Sequence, residues 1–344
     1  MGTGGLIAIA GCAGDDPSNG NGGNGEDDDD FPTGPITTVN TYSEGGGTDT
    51  NLRQLQPHFE RELGVNQQID YRPGAGTRIG TNVVIEAEPD GYTLGATRSP
   101  AFEFTLAIDE AQDEETDYEF EDIQPIGSLM TEHAIIRCRE DEDRFETIGE
   151  LVDYAADNPG ELTCGVSGPT NRNMLAMILL MDETDAEFTM VPYDGGGATE
   201  TALLQEEIDI ANRSVYNSAD IAEQTKALAI YNEENRWPEL TEVFNDCPPI
   251  NEALGTDIPY GPTEGRQFDF CPPGLPDEYP DRFEYVVDAY RRAVESEEYR
   301  EDLSEIGEEG KISYLDPQET KDHIEENLEV SRDWVSLMLE YVEN

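Results

Sequence analysis

The sequence predicts an α/β fold with parallel sheets, on three observations. Short β-branched segments run into glycine-rich turns, the segments after those turns carry apolar residues at helical spacing, and this unit recurs along the chain. Residues 36–42, Ile-Thr-Thr-Val-Asn-Thr-Tyr, form the first predicted strand. The turn Ser43-Glu44-Gly45-Gly46-Gly47-Thr48-Asp49 then leads to a helix with Leu52, Leu55, Phe59 and Leu63 on one face, bent at Pro57 and stopped at Gly64. A strand through Ile69 and Tyr71 follows, then the turn Arg72-Pro73-Gly74-Ala75-Gly76-Thr77 and a helix through Ile79, Val83 and Ala87. Pro89-Asp90-Gly91 turns the chain into a strand over 92–97.

The unit then repeats. A strand over 134–137 precedes a helix opened by the capping pattern Thr147-Ile148-Gly149-Glu150. A strand over 162–166 enters the turn Ser167-Gly168-Pro169-Thr170-Asn171 and an apolar helix over 174–181. A strand over 189–193 enters Asp194-Gly195-Gly196-Gly197-Ala198-Thr199 and a helix with Leu203 and Leu204. Strands over 208–211 and 227–230 complete a second sheet. The C-terminal part is helical: Phe283, Val286, Val287, Tyr290 and Val294 share a face, and Asp316-Pro317-Gln318-Glu319 opens a last helix carrying Ile324, Leu328, Trp334 and Leu337.

Charge excludes one large class of partner. The 344 residues hold 77 acidic against 20 basic side chains, a formal net charge of −57, and only Lys226, Lys311 and Lys321 are lysines. No basic surface for nucleic acid can be assembled from so few cations. The acids are spread among well-patterned apolar residues rather than gathered in a tail, which points to a halophilic source, where a carboxylate surface stays hydrated and its self-repulsion is screened. The Debye length is about 3 Å at 1 M salt, so long-range steering hardly operates there.

The run Leu6-Ile7-Ala8-Ile9-Ala10-Gly11-Cys12 resembles a lipoprotein signal, with Cys12 as the lipidated residue. It is shorter than the about 20 residues of a membrane span and lacks a positive leading region, so either the true start lies upstream or the match is accidental, and the polar segment that follows favours the first. Residues 13–35 are almost devoid of apolar side chains and read as a flexible acidic tether; the run Glu26-Asp27-Asp28-Asp29-Asp30 lacks the spaced ligands of a calcium loop. No later stretch can cross a bilayer.

Cys138, Cys164, Cys247 and Cys271 contain no Cys-x-x-Cys pair, which argues against zinc and thioredoxin-like chemistry. Outside the cell they allow two disulfides with three connectivities. Cys138–Cys164 and Cys247–Cys271 are the preferred pairings, with buried free thiols as the alternative. His58, His133 and His323 are scattered and show no metal spacing, and no cofactor is expected. No Gly-Lys-Ser/Thr makes a P-loop, and Gly165-Val166-Ser167-Gly168-Pro169 ends in proline where a nucleophile elbow ends in glycine. No nucleophile–base cluster stands out, so a non-enzymatic role is expected.

Four segments carry a resemblance to a known family: Gly45-Gly46-Gly47-Thr48-Asp49 with Arg53; Arg72-Pro73-Gly74-Ala75-Gly76 with Ile79-Gly80; Pro89-Asp90-Gly91-Tyr92-Thr93-Leu94; and Tyr193-Asp194-Gly195-Gly196 with Leu203-Leu204 and Asp209. In this order and spacing the chain resembles the solute receptors of tripartite tricarboxylate transporters, the Bug family, over residues 36–340. It departs at Thr77-Arg78, where the family usually has Gly-Gly.

The resemblance implies a two-lobed, periplasmic-binding-protein-like (type II) fold with a ligand cleft between lobes. Residues 1–12 would be the signal, 13–35 the linker, 36–130 plus 260–344 lobe I and 131–259 lobe II. It further implies a monomeric receptor, lipid-anchored on the extracellular face of the cytoplasmic membrane, that passes a small carboxylate to integral-membrane permease subunits. Coupling to a membrane sensor instead is the alternative.

Glycine turns before helices leave backbone N–H groups free to receive a carboxylate. The expected contacts are therefore Gly46, Gly47, Thr48, Asp49, Gly74, Ala75, Gly76, Thr77 and Ser99 from one lobe. Ser167, Gly168, Thr170, Asn171, Asp194, Gly195, Gly196 and Thr199 are expected from the other. Such a cradle needs no basic side chain, although Arg53, Arg78 and Arg172 are candidates for a second carboxylate; their alternative role is surface pairing. Asp49 either accepts from a ligand or caps its helix.

Overall fold

Two sheets organise the chain. The computed structural model describes residues 30–112, 118–167, 171–193, 196–232 and 247–342. The first sheet contains β1 (Ile36–Asn40), β2 (Gln67–Tyr71), β3 (Thr93–Ser99), β4 (Gln124–Glu132), β10 (Gly265–Cys271) and β11 (Ile312–Leu315), in the order β11-β4-β10-β3-β1-β2. The second contains β5 (Ala134–Arg139), β6 (Thr163–Val166), β7 (Thr189–Pro192), β8 (Ile210–Ser214) and β9 (Thr225–Ile230), in the order β7-β6-β8-β5-β9.

Their construction is the same. In each sheet a parallel trio, β2-β1-β3 or β7-β6-β8, is joined on the side of its last strand by an antiparallel strand, β10 or β5. That antiparallel strand is the one that arrives from the other sheet. The chain leaves the first sheet at Glu132, crosses through His133 alone, and enters the second at Ala134; it returns into the first at Gly265.

Helices α1 (Gly47–Leu63), α2 (Arg78–Ile85) and α3 (Ala101–Ala111) belong to the first half, and α4 (Ile148–Asp157), α5 (Arg172–Glu183) and α6 (Gly196–Leu204) to the second. Helix α1 buries Leu52, Leu55, Phe59 and Leu63, as its periodicity predicts, and ends at Gly64 with φ 73°, a left-handed turn that glycine takes without strain. Thr147 caps α4 by accepting from the Glu150 N–H at 3.2 Å.

Two cores result. One gathers Phe102, Phe268, Phe270, Ile324 and Leu328; the other gathers Met174, Leu175, Ile178, Leu179 and Tyr231. Full burial of each such side chain contributes about 1.5–3 kcal/mol. The C-terminal helix Pro317–Val342 serves both, with Ile324 and Leu328 in the first cluster and Trp334 and Leu337 against the second.

The structure differs from the sequence reading in several places. Helix α2 buries Gly80, Thr81 and Val84, while Ile79 and Val83 are exposed. Strands β4 and β10 and helix α3 were not legible as elements. β4 contains proline, glycine and serine, and β10 alternates only over Gln267-Phe268-Asp269-Phe270 while burying Arg266 and Asp269 with the phenylalanines.

The cysteine pairings also need correction, because all four cysteines are free and buried. Cys138 on β5 and Cys164 on β6 both register with Ile210 on the strand between them. They are thus two strand spacings of about 4.8 Å apart, beyond the about 7 Å Cα limit of a disulfide. Cys247 packs with Ile135 and Val215 of the second half, whereas Cys271 ends β10 in the first. Burial pushes the Cys138 and Cys247 thiols up to about 12. Cys12 lies outside the described residues.

Candidate functional site

Loops at the carboxyl ends of parallel strands are where α/β sheets collect ligands, because several helix N-termini open there together. Here residues that follow β1, β2, β3 and β6, the first residue of α6 and the last two residues of β8 border one cavity of about 410 Å³. Both halves contribute to its wall.

Of the residues expected at a ligand, Gly47, Gly74, Gly76, Thr77, Ser99, Ser167, Asn171 and Gly196 line this cavity. Gly46, Thr48, Asp49, Ala75 and Thr199 do not. Gly46 is the N-cap of α1, one residue back from the wall. Thr48 is buried, Ala75 is exposed, and Thr199 packs its methyl against the Gly165 backbone. Gly168, Thr170, Asp194 and Gly195 lie outside the described residues.

Asp49 neither lines the cavity nor stands at the N-cap, which is Gly46; it sits in the first turn of α1. Its carboxylate accepts from the Gly45 N–H at 2.8 Å, the Tyr71 hydroxyl at 2.7 Å and Arg53 Nε at 3.0 Å. Burial alone would raise its pKa, but those donors together hold it below the usual value. Arg53 also pairs with Glu44, and Arg78 with Asp109, so both serve their own half rather than the cavity. Asn171 lines the wall while its side-chain oxygen caps α5, accepting from the Asn173 and Met174 N–H groups at 2.9 and 3.1 Å.

The loop after β2 is conformationally unusual. Gly74, Ala75, Gly76 and Thr77 have φ of 126°, 47°, 61° and 85° in succession. Left-handed backbone at Ala75 and Thr77 costs about 1–2 kcal/mol per residue, and such strain collects at binding sites. A Cβ on Gly76 would stand 2.6 Å from Thr105 Oγ1, whose hydroxyl donates to the Gly76 carbonyl at 2.8 Å. Among the described residues the buried Thr77 hydroxyl and the Asn173 side-chain oxygen, both on cavity residues, have no hydrogen-bond partner.

The wall is also cationic, which the glycine cradle did not require. Arg98, Arg172 and Arg213 line the cavity, with Glu132 among them. Arg98 ends β3 in Arg98-Ser99, and Arg213 ends β8 in Arg213-Ser214. Arg98 donates to Glu132 Oε1 and Arg172 to Glu132 Oε2 at 3.0 Å. Arg172 Nη1 also donates to the Glu132 carbonyl at 3.1 Å. Arg213 pairs with Glu200 at 2.9 Å and donates to the Gly196 carbonyl. Glu200 accepts from the buried Arg137 at 3.4 Å as well.

Burial, and then the neighbouring Arg172 charge, lowers the Arg98 pKa to about 10; burial first, with Arg213 adding to it, lowers Arg172 to about 10. Both remain protonated at neutral pH. Glu103 accepts from Ser99 beneath the cavity, and burial raises its carboxyl to about 8, so it adds no charge at neutral pH. Arg98 and Arg213 escaped the sequence reading because each ends a strand outside any glycine turn. The signal that could have found them is a twice-repeated Arg-Ser at a strand end in a chain with 20 basic residues.

Two like-wound sheets, joined by crossing strands around a polar cavity at their strand ends, define the type II periplasmic-binding-protein fold. Solved structures of low identity share it. MatC from Rhodopseudomonas palustris, with bound malate, matches with a TM-score of 0.69 at 22% identity over 89% of this chain and 100% of that one. The periplasmic binding protein BugD matches with a TM-score of 0.70 at 19% identity over 90% and 98%.

Sequence relatives narrow the class. A UPF0065 protein of Bordetella pertussis is 28% identical over 255 residues, 72% of this chain and 74% of that protein. A UPF0065 protein of Cupriavidus necator is 26% identical over 281 residues, 81% and 80% respectively. The profile of the tripartite tricarboxylate transporter family receptors matches residues 51–336. The chain belongs to that family of extracytoplasmic solute-binding receptors. Among the described residues no helix is long and apolar enough to cross a membrane, and no group of three metal-ligating side chains occurs.

Proposed function

We propose that this protein captures a small carboxylate in the cleft between its two sheets and delivers it to integral-membrane permease subunits, without catalysing a reaction. The observation that carries the reading is the set of three arginines, Arg98, Arg172 and Arg213, around a cavity of about 410 Å³ with glycine turns at its rim. Guanidinium forks and helix N-termini both favour carboxylate oxygens, and a low-dielectric wall strengthens the attraction. Two structurally similar proteins, MatC with malate and a second R. palustris protein with adipate, hold small dicarboxylates.

In this reading the sheets are the cores of two lobes, 36–130 plus 260–344 and 131–259. The receptor acts as a monomer, tethered through residues 13–35 to a lipid on Cys12 outside the cell, and its acid-rich surface suits molar salt. A thermal-shift screen of mono-, di- and tricarboxylates in molar KCl tests capture. At a ligand concentration of 100 times Kd the folded state gains about 2.7 kcal/mol. A shift with sugars or amines but with no carboxylate contradicts the reading. Cell fractionation tests the anchor: Cys12→Ser is expected to move the protein from the membrane to the soluble fraction, and identical partitioning of both forms rules the lipid out.

A further inference from the structure

Ser99 lines the cavity at the end of β3, and two neighbours fix what its hydroxyl can do. Asn327 of the C-terminal helix donates from Nδ2 to Ser99 Oγ at 2.9 Å, and the same nitrogen stands 3.0 Å from His323 Nε2. Burial, with the Arg266 charge adding to it, holds the His323 pKa down at about 4, so the ring is neutral and its Nε2 accepts the second amide hydrogen. Both Asn327 hydrogens are thereby committed, and Ser99 Oγ accepts one of them. The other contact of Ser99 Oγ is Glu103 Oε1, at 2.5 Å. A serine hydroxyl has one hydrogen and two lone pairs. With one lone pair given to Asn327, a hydrogen and a lone pair remain for two directions, Glu103 and the cavity.

The protonation state of Glu103 settles which goes where. Ionised, it takes the Ser99 hydrogen and leaves a lone pair toward the cavity, where it repels a carboxylate. Protonated, it donates to that lone pair and frees the hydrogen for the cavity, where a carboxylate accepts it. The surroundings favour the acid form. Glu103 is 0% exposed, its Oε2 has no hydrogen-bond partner among the described residues, and a carboxylate with a single donor is costly in such a place. Burial raises its pKa to about 8. Resting on the carboxylate-receptor reading, we propose that Glu103 is a positioning residue: in its acid form it aims the Ser99 hydroxyl at the ligand carboxylate, so that capture is linked to a proton held beneath the cavity. The groups facing Glu103 from the elements packed on α3 titrate elsewhere. Burial holds Tyr42 after β1 and Tyr118, stacked on Phe102, at about 12, and Arg98 on β3 at about 10. His323 is neutral above about 4, with Arg266 and Glu264 paired at 2.7 Å beyond it. On α3 itself Asp109 pairs with Arg78 and Glu110 with Arg332.

The test is calorimetry in constant molar KCl, with whichever of malate, succinate, glutarate and adipate binds the wild type most tightly, or another carboxylate from the thermal-shift screen where none of these does. The affinity of the wild type is expected to fall about fivefold or more from about pH 6.5 to about pH 9, as Glu103 loses its proton. Glu103→Gln offers Ser99 an amide N–H at every pH. It is expected to flatten the profile and, at about pH 9, to bind about fivefold tighter than the wild type. Ser99→Ala removes the hydroxyl; it is expected to weaken binding about tenfold at about pH 6.5 and to flatten the profile, and it carries the comparison where Glu103→Gln does not fold. A Glu103 that serves packing alone predicts that Glu103→Gln leaves the pH profile of binding as it is in the wild type. That result overturns the proposal, as does a flat wild-type profile or a Ser99→Ala variant with undiminished affinity at about pH 6.5. If the wild type binds no acid in the whole screen, the receptor reading itself has failed, which is a different result from a flat profile.

Discussion

The two halves of the molecule place an arginine at the same point of the same topology and compensate it differently. Arg213 ends β8, and its partner Glu200 stands on α6 of the same half, shared with Arg137 of β5. Arg98 ends β3, but its partner Glu132 stands at the crossing between sheets, shared with Arg172 of the other half. The ion-pair partner of Arg213 thus comes from its own half, whereas Arg98 shares its partner with an arginine of the other half. An anion drawn to Arg213 meets an arginine already settled, whereas one drawn to Arg98 competes with the group that ties the sheets together.

Removing either arginine is the largest break available. Truncating one side of a buried charge contact costs about 2–5 kcal/mol, so Arg98→Ala and Arg213→Ala are each expected to weaken carboxylate binding by about 30-fold or more, read by calorimetry. A loss in only one variant would place the ligand on a single half and undo the symmetry.

A smaller break uses two glycines that each open a helix under an arginine. A Cβ on Gly196 would fall within the Arg213 guanidinium, whereas one on Gly47 would stand 3.2 Å from Arg98 Nη1, a contact that a few tenths of an ångström relieve. Gly196→Ala is expected to weaken binding by about tenfold and Gly47→Ala by less than about threefold. Equal losses would show that the settled and the competed arginine have the same freedom to move.

The smallest effect concerns Glu103, the acid that accepts from Ser99 at the first Arg-Ser strand end. Glu103 keeps its proton up to about pH 8 in the folded chain, against an ordinary 4.5, because burial penalises its charge. Between those values the unfolded chain has lost a proton that the folded chain holds, so this group makes stability fall as pH rises through the window. Glu103→Gln retains an acceptor for Ser99 and removes the proton. The melting temperature of the variant minus that of the wild type is therefore expected to grow from pH 5 to pH 8. A flat difference would mean that Glu103 is ionised in the folded state.

Much of the frame was legible because the parallel trios follow local rules. The strand–glycine turn–helix units around Gly47, Gly76 and Gly196 each declare themselves within about 20 residues, and α1 keeps its periodicity to Gly64. The strands that build the crossing were not legible, because β10 buries Arg266 and Asp269 for tertiary reasons that leave no local trace. The site divided in the same way. Turn glycines could be found by composition, whereas Glu132, Arg98 and Arg213 acquire meaning only when strands distant in sequence lie side by side. Asp49 shows the converse: a polar residue in a promising turn whose donors all come from its own neighbourhood.

The interior cations have a kinetic consequence. Arg137, Arg172, Arg213, Arg266 and Lys311 are buried, so at least five of the 20 basic residues are withdrawn from a surface that must already offset 77 acids. An anion approaching from solvent first meets repulsion, and finds attraction only inside the mouth of the cleft. Debye lengths of about 10 Å at 0.1 M and about 3 Å at 1 M salt place that repulsion within reach of dilute buffer and out of reach in brine. Association with an anionic ligand is thus expected to accelerate as salt is added, the reverse of an electrostatically steered encounter. Dissociation, governed by contacts the ions barely reach, is expected to change far less.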